Sequence, residues 1–238
     1  LEEFFLGTKS NLTDVIKQEQ EKNNLLENQF NKITNTVGVL SKLSAMDPEL
    51  LKKYSKVYFL NEHYIPISLS NINPENRSVK SVNFQIHSDV LSYLEKLINA
   101  GNTDNVSIKV LSSYRSFDKQ LNLKTIYKIN YGTGANKFLA DQGYSEHQLG
   151  TAVDFTTTKT NGALDGFEKT PEYKWFLENA YKYGFVISYP ASNTYYKFEP
   201  WHWRFVGIVL ATKLHNDNKN LYDLDQRVID SYLVNIFD

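Results

Sequence analysis

From Leu12 to Leu40 the positions 12, 16, 19, 23, 26, 30, 33, 37 and 40 alternate steps of four and three, the spacing that keeps one seam of a helix in line. Seven of these nine are apolar: Leu12, Ile16, Leu26, Phe30, Ile33, Val37 and Leu40. Glu19 and Asn23 interrupt the seam, and Lys, Glu, Gln and Asn fill most positions between. The spacing predicts a helix from about Asn11 to Leu43, roughly 45–50 Å long at about 1.5 Å per residue. Asn11 is its candidate cap and Asp14 sits favourably in the first turn. Gly38 weakens its end, and Asp47-Pro48 opposes continuation, although Pro48 also fits the first position of a new helix. Such a seam serves either a coiled-coil arm that self-associates or contacts a partner, or a long helix folded back on its own domain.

After this stretch the pattern changes. Val57 to Leu60 is a short β-favouring run, and Pro66 to Asn76 is irregular. Ser88 is placed to cap a helix through Leu91, Leu94, Leu97 and Ile98, stopped at Gly101-Asn102. Ser107–Leu111 alternates as a strand, Phe117–Ile129 returns to helical spacing, and Ala152–Thr156 reads as a strand after a loop. Pro171 opens a helix to Tyr183, with Gly184 as its stop. Phe185–Tyr189, Tyr195–Glu199 and Trp203–Val206 are further strands, and Leu221–Ile236 is an amphipathic terminal helix. Helices and short strands without regular βαβ alternation indicate an α+β domain with a small mixed or antiparallel sheet flanked by helices. The division expected is residues 1–50 as a helical arm and 51–238 as the domain that carries chemistry.

Composition removes several function classes. Twenty-six Lys and Arg against 27 Asp and Glu leave a formal charge of −1, which gives no electrostatic reason to bind nucleic acid. With no cysteine, a metal must be held by His, Asp or Glu. Apolar runs such as Ile208–Ala211 are far short of the roughly 20 residues that span a bilayer. The sequence begins at Leu1, so a signal peptide or membrane anchor upstream is an open expectation.

The segment Ser145-Glu146-His147-Gln148-Leu149-Gly150-Thr151-Ala152-Val153-Asp154 places a His and an Asp seven apart where a loop enters a strand. Glu199-Pro200-Trp201-His202 adds a second His with an acid three residues before it. His147, Asp154 and His202 together give two imidazoles and one carboxylate, the donor set of a three-ligand catalytic zinc site with a position left for water. Glu199 is then the natural general base. Singly, each has an ordinary explanation: a surface or core histidine, an aspartate closing a strand, a solvated glutamate. Residues 199 and 202 would also face opposite sides of a regular strand, and Pro200 is the feature that permits local irregularity there. His63, His87 and His215 fall outside both segments and receive no metal role.

The segments Ser113-Tyr114-Arg115-Ser116-Phe117-Asp118-Lys119-Gln120, Ser145 to Asp154, and Glu199 to Gly207 resemble three successive signatures of the D-alanyl-D-alanine carboxypeptidases of the vancomycin-resistance type. These belong to the zinc peptidase group that includes lysostaphin and the hedgehog signalling domain. The resemblance spans about residues 54–207 and leaves the arm outside. It implies Zn²⁺ on His147, Asp154 and His202, with Glu199 activating water and passing the proton to the leaving amine. It also implies that Arg115 stabilises the oxyanion or binds the substrate carboxyl, and that Gln120 and Ser145 help hold the peptide terminus. Trp201 and Trp203 are expected as core and wall residues, Tyr195-Tyr196-Lys197 as cleft lining, and Gly150 where the loop packs tightly.

The activity implied is removal of C-terminal D-alanine from peptidoglycan stem peptides, in the extracellular space or cell envelope. An L,D-carboxypeptidase, a peptidoglycan endopeptidase, or a non-catalytic binding or regulatory module of the same fold are the alternatives.

Overall fold

The structure is a computed structural model and describes residues 2–45, 61–131, 139–160, 163–194, 196–233 and 235–237. Contacts divide the chain into two units, residues 1–46 and 47–238. The expected strand at Val57–Leu60 and the helix-opposing Asp47-Pro48 lie outside the described residues.

The first unit is one helix, α1 (Glu2–Ala45), about 66 Å long at 1.5 Å per residue. It begins well before Asn11, which sits inside the helix rather than capping it. Once a helix is nucleated each further residue adds a hydrogen bond, so the helix-compatible residues upstream extend it past a polar side chain that could have capped it. Gly38 does not break it; a single glycine costs only about 1 kcal/mol there. The seven apolar seam residues stand in solvent, each 50–68% exposed.

The second unit is α+β. A two-stranded antiparallel ribbon, β1 (Leu69–Asn71) with β2 (Gln85–His87), precedes α2 (Ser88–Thr103), β3 (Lys109–Ser112) and α3 (Phe117–Tyr131). Then come β4 (Ala152–Thr156), α4 (Pro171–Asn179), β5 (Phe185–Ile187), β6 (His202–Phe205), α5 (Ile208–Asp217) and α6 (Gln226–Leu233). The main sheet is wholly antiparallel in the order β3-β4-β6-β5, so β4 and β6 are its centre.

Alternation along these central strands separates core from chemistry. On one face, Phe155 meets Phe176 of α4 with ring centroids 4.6 Å apart, and Phe176 meets Trp203 at 5.0 Å. Phe185 packs on Phe205 at 5.4 Å. Successive side chains of a strand point to opposite faces, so Asp154 on β4 and His202 and Arg204 on β6 face the other way. α2 presents Val90, Leu94, Leu97 and Ile98, all fully buried, at helical spacing.

Several sequence expectations are corrected. Ser88 does not cap α2; the His87 ring accepts from Asp89 N, while Ser88 exchanges a 2.8 Å hydrogen bond with Ser70 on β1. The α4 helix ends at Asn179 and tightens into a 3₁₀ turn, Ala180–Tyr183, before Gly184 at φ +82°. Residues 196–199 form no strand, because Glu199 N bonds to Tyr189 O and His202 N to Glu199 O in a turn, leaving no ladder. The tail is a 3₁₀ turn, Leu221–Asp223, followed by α6, since a capping box of Asn220 and Asp223 satisfies the turn separately. The β1–β2 ribbon and α5 have no counterpart in the sequence reading. Their short elements carry too little periodicity to announce themselves. No helix among the described residues is long and apolar enough to cross a membrane.

Candidate metal centre

The site begins with strand register. Asp154 and His202 are direct cross-strand partners on β4 and β6, so their side chains emerge side by side on one face. His202 Nδ1 lies 2.9 Å from Asp154 Oδ1. His147 arrives from a 3₁₀ turn, Glu146–Leu149, that ends at Gly150 in the left-handed region, φ +73°. A Cβ at Gly150 would come within 3.2 Å of Pro66 and 3.3 Å of the His87 nitrogen, so the turn packs directly on the ribbon, as expected. The His147 ring is oriented from behind by its Nδ1, 2.8 Å from Ser113 O at the end of β3. Its Nε2 then lies 3.1 Å from Asp154 Oδ2.

One donor atom from each of His147, Asp154 and His202 therefore lies within 4.8 Å of the others, and all three residues are buried. A carboxylate between two imidazole nitrogens, with each ring held by a hydrogen bond to its other nitrogen, is a donor set that fits zinc. The turn at Glu199–His202 removes the difficulty of opposite strand faces, because β6 starts only at His202.

The same cleft, of about 740 Å³, is lined by Arg115, Gln120, Ser145 and Glu199 as well as the three donors. Every site residue expected from the sequence thus borders one cavity. The Arg115 backbone N donates to His147 O, and its buried Nε makes no protein hydrogen bond. Gln120 Nε2 donates to Ala140 O at 2.8 Å, leaving its Oε1 buried without a protein partner. Tyr196, Lys197 and Trp201 line the cleft, whereas Trp203 is core and donates to Pro200 O; Tyr195 lies outside the described residues.

Electrostatics sort the acids. Burial raises Glu199 to about 7; Asp154 and Glu146 add to the rise, and His202 and Arg115 oppose it. Burial also works against ionised Asp154, but His147 and His202 outweigh it and hold the carboxyl well below the ordinary range. His147 is lowered to about 4, first by burial and then by Arg115. For His202 burial is overcome by hydrogen bonds to Asp154 and Glu146, which raise it to about 10. One acid is thus a poised proton carrier and another a fixed anion, the separation that acid–base chemistry requires.

Four further residues, Glu146, Ser188, Arg204 and Tyr222, stand beside this cluster. Glu146 Oε2 lies 2.8 Å from His202 Nε2 and accepts from Ser188 Oγ at 2.7 Å. Glu146 Oε1 accepts from Arg204 Nη1 at 2.9 Å and from the Tyr222 hydroxyl. Two of them had a sequence signal: Arg204 stands two residues after His202 and so on the same strand face, and Glu146 lies within the Ser145–Asp154 segment, directly before His147.

Residues 83–208 match the VanY family of D-alanyl-D-alanine carboxypeptidases. The chain is also 30% identical to YodJ of Bacillus subtilis, provisionally named a carboxypeptidase, over 85% of this chain and 76% of that protein. The chain belongs to the VanY carboxypeptidase family. A D-alanyl-D-alanine carboxypeptidase of Enterococcus faecalis is 37% identical over 52% of the chain, which spans about half that relative's length, 49%.

Solved structures of VanY-family and related carboxypeptidases share the fold. The L,D-carboxypeptidase LdcB superposes with a TM-score of 0.64 at 31% identity, covering 70% of this chain and 80% of its own. VanY of a VanB-type resistance cassette, solved as a glutamate-to-alanine variant with Zn(II), gives 0.56 at 29% identity and covers 72% and 98%. This VanY-family chain thus places a zinc-compatible donor set in a fold shared with a neighbour solved with Zn(II).

Proposed function

We propose that this protein removes the C-terminal D-alanine from peptidoglycan stem peptides as a zinc-dependent D,D-carboxypeptidase. One observation carries the reading: His147, Asp154 and His202 converge in the cleft that also holds a raised Glu199 and a half-buried Arg115. His147 Nε2, an Asp154 oxygen and His202 Nδ1 would hold zinc, which would supply Lewis acidity for the scissile carbonyl and for water. Glu199 accepts a proton from the attacking water as its oxygen bonds to the carbonyl carbon. It then delivers that proton to the nitrogen of the departing D-alanine as the C–N bond breaks. Arg115 stabilises negative charge on the carbonyl oxygen with a permanently charged fork. Gln120 and Ser145 hold the peptide terminus. The substrate places this work outside the cytoplasmic membrane.

LdcB, an L,D-carboxypeptidase, superposes at least as well as VanY, so cleavage of the tetrapeptide is the second reading. Incubation with defined penta- and tetrapeptide muropeptides, followed by mass spectrometry, separates the two. Loss of one alanine from the pentapeptide alone supports the first; loss from the tetrapeptide alone replaces it.

The α1 seam is the surface proposed for self-association. Numbering the seam as heptads puts Ile16, Asn23, Phe30 and Val37 at a positions, and an a-position asparagine favours a parallel, in-register pair. In that pair Lys22 at g faces Glu27 of the second copy at e, an opposite-charge contact. Light scattering of the full chain is expected to give a dimer mass, and Phe30→Asp with Ile33→Asp a monomer. A monomer mass for the parent across micromolar concentrations would remove the proposal.

A further inference from the structure

Among the described residues, Glu146 has four partners within one buried carboxylate, all of them more than forty positions away in sequence. Its acidic oxygens are divided. Oε2 faces His202 Nε2 and Ser188; Oε1 faces Arg204 and Tyr222. A carboxylate only accepts, so Nε2 turns its hydrogen toward Glu146, and Nδ1, which faces Asp154, is the ring nitrogen that would ligate a metal shared with that carboxylate. Tyr189 stacks on the His202 ring at 5.0 Å, and Tyr222 lies parallel to Tyr189 at 6.2 Å, so the ring is fixed in plane and in rotation.

We infer that Glu146 is a positioning residue that sets which nitrogen of His202 meets the metal, and that Tyr222 is the latch that holds Glu146 in place. The inference rests on the reading of His202 as a zinc ligand. Tyr222 lies on the 3₁₀ turn Leu221–Asp223, beyond residues 83–208 that match the family. The C-terminal segment thereby completes the metal site without touching the metal: Tyr222 holds Glu146, Glu146 holds His202, and His202 presents Nδ1. Arg204 supplies the facing positive charge, with its Nη1 2.9 Å from Glu146 Oε1. Partners of this kind to a ligating histidine are worth about 10–100-fold in metal affinity.

The test compares full-length Tyr222→Phe, Glu146→Gln and a control, Tyr93→Phe. Tyr93 OH donates to Phe237 O at 3.1 Å, so the control also loses one tyrosine hydrogen bond to the C-terminal region, away from the metal donors. Zinc dissociation constants come from chelator competition, and ligand geometry from the visible bands of the cobalt(II)-substituted protein. Glu146→Gln is expected to weaken zinc by about 10–100-fold and Tyr222→Phe by about 3–10-fold, both with displaced cobalt bands. Tyr93→Phe is expected to match the parent. If Glu146→Gln does not fold, Tyr222→Phe decides alone. Parent-like affinity and cobalt bands in Tyr222→Phe overturn the inference, and so does equal weakening in Tyr222→Phe and Tyr93→Phe, which would mark general loosening. Failure of the underlying reading looks different: His202→Ala would then retain zinc.

Discussion

His202→Ala is expected to leave a folded protein that no longer holds zinc after dialysis. The substitution removes one of three protein donors, and sharing about 10–16 kcal/mol of zinc binding over them makes each worth about 3–5 kcal/mol, roughly 10²- to 10⁴-fold in affinity. The fold should tolerate the loss. Asp154 keeps His147 at 3.1 Å, and Glu146 keeps Arg204, Ser188 and Tyr222. Elemental analysis measures the outcome directly, with circular dichroism as the check on folding. Stoichiometric zinc in the variant would mean that His202 is not a ligand, and the hydrolytic mechanism would lose its foundation.

Glu199→Gln is expected to do the reverse, keeping zinc while turnover falls by about 10²- to 10⁴-fold, the usual worth of a positioned general base. Glutamine preserves shape and hydrogen bonding but cannot take a proton. The pH dependence has a definite sign. A carboxyl raised to about 7 is protonated below that value and unable to accept, so kcat/KM should climb as pH rises through this range. A bound dication favours the ionised form, which places the acid limb of the loaded enzyme at or below about 7. The residual activity of Glu199→Gln should lack this limb. A variant with near-parent turnover, or one that retains the limb, would remove Glu199 from the role of base.

The donors and the base were legible because two short segments, one with His147 and Asp154 and the other with Glu199 and His202, resemble signatures of a known zinc peptidase family, while the residue types alone left ordinary explanations open. The strand at Ala152–Thr156 was read correctly, and the helix from Phe117 differed only at its end, Tyr131 rather than Ile129. Tyr195–Glu199 misled because alternating aromatic and polar residues look like a strand, while residues 196–199 form no ladder and lead into the turn Glu199–His202. The α1 seam gave a helix but not its start, since a candidate cap at Asn11 competes with continued propagation and here loses.

By itself the sequence determined a largely apolar seam on a long helix and an inventory of two imidazoles, an aspartate and a glutamate in fixed order. These follow from local periodicity and residue chemistry. Only the tertiary structure decided that Asp154 and His202 are cross-strand neighbours, which nitrogen of His202 faces Asp154, and that Glu146 ties His202 to Arg204, Ser188 and Tyr222. Strand register and long-range hydrogen bonds join residues tens of positions apart. No local pattern encodes them, because their energy exists only once the intervening chain has folded.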